Sequence, residues 1–288
     1  VALFWITLTL FTFVILMFVR WVDRIARLGR LGTTIEKVEK ATARVFERRK
    51  KDPFLGGKPI DGEPAEEGVT ISTDKVGYIQ QIDMALLQEY AEYENLTITL
   101  AAHPGTFATP DKVLARITGD TGKKPEIDRK QVLKAFHVGD SRTFDEDPRF
   151  GLIVLSEIAS RALSPAVNDP GTAIDVIGSM VRLIIGWCTP IEREETTDPR
   201  YNLVRVPAIS LQDLFDDAFR PIARDGAGML EVGIRLQKAF GSLAAVNTPR
   251  ISEIATEHSR QALEHAKKQL RLPEEIETIA DLALNDRD

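Results

Sequence analysis

An α+β chain is the fold class this sequence predicts: an N-terminal transmembrane helix, a small β-rich subdomain of sandwich or barrel type, then a mostly α-helical bundle. Three observations predict it. The first residues, VALFWITLTLFTFVILMFV, are an uncharged apolar run long enough, as a helix, to cross the ~30 Å hydrocarbon layer of a bilayer. Between residues 69 and 117, short β-type runs alternate with turn signals around one amphipathic helix. From about residue 127 onward, apolar and charged residues recur three and four apart, as in helices packed in water.

The apolar run, residues 1–20, is read as a span. About a dozen Leu, Ile, Val and Phe favour insertion by about 4–8 kcal/mol, which three threonines do not offset. Thr7, Thr9 and Thr12 are expected to bond back to carbonyls one turn earlier. A cleaved signal peptide would need a basic region before the run and a small-residue cleavage site after it, and the sequence has neither. Residue 1 is not Met, so further spans are expected to precede it. Trp21 suits the interface, and Arg20, Arg24, Arg27 and Arg30 follow at once, so the positive-inside rule puts the rest of the chain in the cytoplasm, on the inner membrane.

Residues 21–51 continue as an amphipathic juxtamembrane helix, with Leu28, Leu31, Ile35, Val38, Thr42 and Val45 on one face. That stripe needs a partner. Packing against the same protein is the first expectation, and a homo-oligomer or partner protein through this helix is the second. The basic run 48–51 reads as a solvated helix end, where cations complement the dipole.

Residues 52–68 are rich in Gly, Pro and acid, without a period, and read as a linker or surface loop. Residues 69–126 follow as a small α/β subdomain. It comprises two short β runs about Thr-Asp-Lys, a helix over MALLQEYAEYEN, the strand LTITLAA, and HPGTFATPDKVLARI, in which Gly105 supplies a tight reversal. Residues 127–288 are assigned to the helical domain. Asp147-Pro148 and Asp169-Pro170 read as cap-and-proline helix starts, as does Ser164-Pro165; Ser210 with Asp213 forms a capping box; YNLVRVPAI reads as a strand or extended connector that Pro207 ends.

The net charge of −6 and pI near 5.4 argue against a nucleic-acid partner. The one cysteine, Cys188, leaves no disulfide framework and no cysteine-based metal site within the chain. The four histidines are scattered, and His258 and His265 stand two turns apart, too far to share a metal, as exposed helix residues. The acids of TFDEDPRF lack the spacing of a calcium loop and suit the positive end of a helix. No phosphate-binding Gly-rich loop, nucleophile elbow or zinc-protease motif occurs, and no metal or cofactor is expected.

GYIQQID, HPGTFATPDKVLARI, SRTFDEDPRFGLIVLSEIASRALSPAVNDPGTAIDVI and DLFDDAFRPIARDG occur in an order that resembles a bacterial family of predicted membrane proteins, the domain of unknown function numbered 2254. The resemblance runs from the span to about residue 245 and is strongest from Arg142 to Thr172. It implies several spans followed by a cytoplasmic region, and no established reaction. Glu146 departs from the Gln expected in that pattern.

Two function classes stay open. One is a non-enzymatic sensory, regulatory or assembly module anchored in the lipid bilayer. The other is a transporter, channel or enzyme with an anion-binding site near the 164–172 turn. Its candidate ligand-binding residues are Arg142, Asp147, Ser164, Asn168, Asp169 and Thr172, because an arginine holds an anion bidentately and a helix start adds partial positive charge.

Overall fold

The computed structural model describes residues 2–28, 31–60, 68–119, 125–190, 198–246 and 248–284. The apolar run forms helix α1 (Ala2–Leu28), in which no side chain between Ala2 and Arg20 is buried by the protein. Thr7, Thr9 and Thr12 donate to the carbonyls of Leu3, Trp5 and Leu8 at 2.8–2.9 Å, so each hydroxyl is satisfied within the helix. A row of exposed Leu, Ile, Val and Phe that no protein surface covers is a surface for lipid.

Helix α2 (Leu31–Lys51) follows and sinks its stripe into the bundle against α5 (Phe150–Ala162) and α6 (Pro170–Cys188). Ile35, Thr42, Val45 and Phe46 are buried there. At the crossing with α5, Gly151 lies so close to Thr42 that a Cβ on the glycine would collide with the threonine hydroxyl. From Ile35 to Phe46 the stripe is therefore covered by its own chain. Helix α6 is itself apolar and long enough to span a bilayer, but it is the core helix of the bundle, with Val176, Ile177, Met180 and Ile184 buried. Helices α7 (Leu211–Asp225), α8 (Leu230–Ala244), α9 (Pro249–Gln269) and α10 (Pro273–Ala280) complete the bundle. Ser210 accepts from the Asp213 amide as the capping box requires, and Pro221 is held inside α7 without ending it.

The β-rich core is built from two sheets. One has the order β1 (Gly57–Pro59), β8 (Tyr201–Val206), β4 (Leu96–Leu100), β6 (Ala115–Gly119), β2 (Val69–Ile71). The other has the order β5 (Phe107–Ala108), β3 (Gly77–Ile82), β7 (Phe136–Gly139) and is antiparallel. Helix α3 (Met84–Glu94), capped by Asp83, packs on β8 and β4, and α4 (Arg129–Lys134), capped by Asp128, closes the side. Alternate residues of β4, Leu96, Ile98 and Leu100, point into this core, as the sequence alternation requires.

Three sequence boundaries change. The stretch expected as a linker, 52–68, contributes β1, which pairs parallel with β8, and Phe54 and Leu55 pack on the β core; residues 61–67 lie outside the described residues. The division at 126/127 does not hold, because α4, β7 and β8 bury Val132, Phe136, Val204 and Val206 in the β core. The two runs around Thr-Asp-Lys are strands, but β2 and β3 enter different sheets. In each case a short strand is stabilised by a partner distant in sequence, which local pattern does not encode.

Candidate functional site

The residues expected to form one site lie at the two ends of α5. Thirteen helical residues separate Asp147, before the helix, from Ser164, after it, a rise of about 20 Å. Arg142 and Asp147 are brought together; Ser164, Asn168, Asp169 and Thr172 form a separate corner.

At that corner Ser164, Asp169 and Thr172 find their partners locally. Ser164 Oγ donates to the Arg161 carbonyl at 2.7 Å, and the Ser164 carbonyl accepts from the Val167 and Asn168 amides. Ser164-Pro165 therefore starts no helix; it lies in the turn between α5 and α6. Asp169 does cap α6, taking the Thr172 amide at 3.1 Å and the Thr172 hydroxyl at 2.6 Å, and these bonds hold its carboxyl below the usual range. Asn168 takes a left-handed conformation, φ 51°, which asparagine tolerates better than most residues. The α6 start is occupied by its own carboxylate.

At the other end, Asp147 is the hub. Its carboxylate receives Arg142 Nε at 2.6 Å and Nη2 at 2.9 Å, and the amides of Arg149 and Phe150 at 3.0 and 3.2 Å. Asp147 thus caps the first turn of α5 although the helix begins at Phe150. The Arg142 guanidinium lies over the Phe150 ring. Gly105, with φ 93°, makes room for this pair, since a Cβ there would run into the Asp147 carboxylate. Arg149 reaches the other way to Asp217 at 2.6 and 3.1 Å and to Asp213, tying α5 to α7. Burial pushes the Asp217 carboxyl up, while Arg149 opposes the shift.

Beside these satisfied pairs stand three side chains whose polar atoms are not satisfied. Arg49 is 4% exposed, and its Nη1 and Nη2 have no hydrogen-bond partner among the described residues. Burial lowers its pKa, against the pull of Glu146, Asp52 and Asp147. Glu146 has an unpartnered Oε2; burial raises its pKa, against the Arg49 charge and a hydrogen bond from the Ile82 amide. His103 donates to the Ala208 carbonyl and leaves Nδ1 unpartnered; burial, reinforced by the Arg49 charge, lowers its pKa to about 4. A buried guanidinium with unmade N–H bonds is costly, by about 1–3 kcal/mol or more for each group left out.

Two cavities flank this cluster and share Ile209. One, about 280 Å³, is lined by Arg49, Lys50, Phe54, Trp187 and Cys188. The other, about 360 Å³, is lined by Tyr78, His103, Lys112, Arg142, Arg149 and Asp213. Lys50 is committed to the end of α6, donating to the Gly186 and Thr189 carbonyls at 2.6 and 2.5 Å. Burial pushes the Cys188 thiol up to about 11, so it stands as an unreactive thiol at neutral pH. Among the described residues no group of three or more His, Cys, Asp or Glu is placed to hold a metal ion.

Sequence reading missed Arg49, which it placed in a solvated helix end. A signal was present: Arg49 stands four residues after Val45 and seven after Thr42, on the buried stripe itself. His258, expected to be exposed, is buried between Phe215 and Phe240 and bonded to Asp216 at 3.2 Å, and burial lowers its pKa. The surface it was assigned by helical spacing is covered by α7.

The chain is 30% identical over 153 residues to the uncharacterized protein MT1328 of Mycobacterium tuberculosis (strain CDC 1551 / Oshkosh) and, over the same length, to the uncharacterized protein Mb1321c of Mycobacterium bovis. Each match covers 51% of this chain and 29% of the relative, so the chain matches under a third of these relatives' length. No solved structure matches it. The family model described as predicted membrane protein (DUF2254) matches residues 2–242, from the exposed apolar helix through the junction to α8, and the chain belongs to that family.

Proposed function

We propose that this protein is a membrane-anchored, non-enzymatic regulatory module whose cytoplasmic domain takes up a small anion where α2 meets the β core. The cytoplasmic placement rests on Arg20, Arg24, Arg27 and Arg30 directly after the span. One observation carries the reading: Arg49, buried and without partners among the described residues for either terminal nitrogen, sits on the helix that begins three residues after the membrane helix ends.

A carboxylate or phosphate supplies the paired acceptor oxygens that Arg49 lacks, and a bidentate contact is the geometry a guanidinium favours. Glu146 is near enough to act on Arg49 electrostatically but does not pair with it, so an incoming anion competes for the cation. A ligand that changed the seating of Arg49 would act on α2 and, through it, on the span.

The test is thermal unfolding of the full chain in detergent micelles, titrated with inorganic phosphate and with acetate. We expect one of them to raise the midpoint in the wild type and to leave Arg49→Gln unmoved. Equal responses in the two proteins, or none in the wild type, would count against the reading.

A further inference from the structure

Contacts within the bundle show which of its ends lies beside the end of α1 in the chain. Arg182 of α6 holds Glu39 of α2 through two bonds of 2.7 Å, and eleven residues later Lys50 of α2 reaches Gly186 and Thr189 of α6. The two helices therefore run in the same sense, and the start of α6 lies toward the start of α2. Pro170 is about 18 Å before Arg182 and Leu31 about 12 Å before Glu39, so the two starts reach the same end of the bundle. Leu28, the last residue of α1, is three residues from Leu31 and so within about 11 Å of it.

Two further turns come to this end. Helix α7 starts where Arg149 binds Asp213 and Asp217, and finishes with Asp225 beside Ser160, so it runs along α5 toward the 163–169 corner. Helix α9 crosses α8 at the buried Gln237–Ser259 pair and ends with Gln269 against Gly228, in the turn after α7.

Two kinds of exposed residue stand out here. Val167 and Leu272 are apolar, 51% and 56% exposed. Arg161, Lys268 and Arg271 are exposed cations that form no ion pair among the described residues. The neighbouring acids are engaged: Asp169 by Thr172, Asp225 by Arg224, Glu264 by Lys267. Glu274 and Glu275 occupy the first turn of α10, where the helix dipole favours them.

We infer that this end of the bundle docks on the bilayer that carries α1, with Arg161, Lys268 and Arg271 on anionic headgroups and Val167 and Leu272 in the interface. The occupant follows from continuity: the helix that enters the membrane ends three residues before α2 begins, at this end of the bundle. Cations beside exposed apolar side chains suit an anionic lipid surface. The inference stands on the contacts and the span, and is independent of any ligand at Arg49.

The test uses the full chain with Cys188→Ser, carrying an environment-sensitive fluorophore at Val167→Cys, at Leu272→Cys or, as control, at Tyr93→Cys on the β-rich part. The proteins are reconstituted into phosphatidylcholine vesicles with and without phosphatidylglycerol, each containing a lipid-borne quencher. Labels at 167 and 272 are expected to shift to the blue and to be quenched when phosphatidylglycerol is present, while the label at 93 is not. Substituting Arg161, Lys268 and Arg271 together by Gln is expected to remove most of that quenching. Quenching at 167 and 272 no greater than at 93 overturns the inference. So does quenching indifferent to phosphatidylglycerol, which removes the headgroup contact, or a blue shift without quenching, which assigns the surface to a second copy of the chain.

Discussion

The two ends of α5 carry polar clusters of similar density and opposite character. At the 164–172 corner the Ser164 and Thr172 hydroxyls each have an acceptor close in sequence, the Arg161 carbonyl and the Asp169 carboxylate. At the 142–149 end the satisfied pairs, Arg142–Asp147 and Arg149–Asp217, border Arg49, Glu146 and His103, each with buried atoms left without partners. Polar residue types alone therefore do not distinguish the two ends; unmet hydrogen-bonding capacity does. The corner is a device for turning the chain. The junction keeps buried polar atoms that no described residue partners.

The sharpest break in this comparison comes from its most tightly bound carboxylate. Asp147→Ala leaves Arg142 facing a buried gap and strips the first turn of α5, and it is expected to cost about 3–5 kcal/mol in denaturant unfolding of the full chain. A loss no larger than that at the corner would erase the distinction.

The second test is one of pH. The folded protein holds His103 neutral down to about 4, whereas the unfolded chain takes up the proton near 6.5. Acidification through that window thus favours unfolding, by up to about 3 kcal/mol once pH reaches 4, and the contribution is fully present above 6.5. His103→Gln should flatten this part of the stability profile. Glu146 acts in the other sense: its raised folded pKa means that protonation relieves its burial, so Glu146→Gln should steepen the acid loss. Profiles that do not separate in these directions would remove both groups from the junction.

Two smaller effects complete the series. Gly151→Ala forces a methyl group against Thr42 and should cost about 1–3 kcal/mol by parting α2 from α5. Asp169→Ala should cost only about 1 kcal/mol, the ordinary value of an N-cap, and should leave any anion response at Arg49 intact. An Asp169→Ala variant that lost that response would join the two clusters after all.

Much of this architecture is written locally. The span, the α2 stripe from Ile35 to Val45, the Asp169-Pro170 start and the Ser210 capping box each depend on residues within a few turns of one another, and the structure places them where the sequence reads them, whereas residues 21–28, read as the start of the second helix, belong to α1. The class of the fold follows from the same signals. What local pattern does not contain is which segment meets which. Arg49 belongs to a basic run that is solvated in most helix ends, and is buried here because α2 is drawn into the bundle by Ile35, Thr42 and Val45. His258 follows the helical spacing of a surface residue and is covered by Phe215 of α7. Strand β1 has three residues, two of them Gly57 and Pro59, and exists because β8 lies beside it.

That last pairing sets a schedule for synthesis. Strand β8 lies between β1 and β4, so the five-stranded sheet is split into unpaired pieces until residue 206 has left the ribosome. By then α5 and α6 have already been made, and they form their contact with α2 from segments available earlier. We expect the nascent domain to pass through a stage with an organised helical half and open strand edges at β1 and β4. Open edges are where strands of other chains add. A chain tethered beside its neighbours in a membrane meets that hazard in two dimensions, and the interval between residues 100 and 206 is when it is greatest.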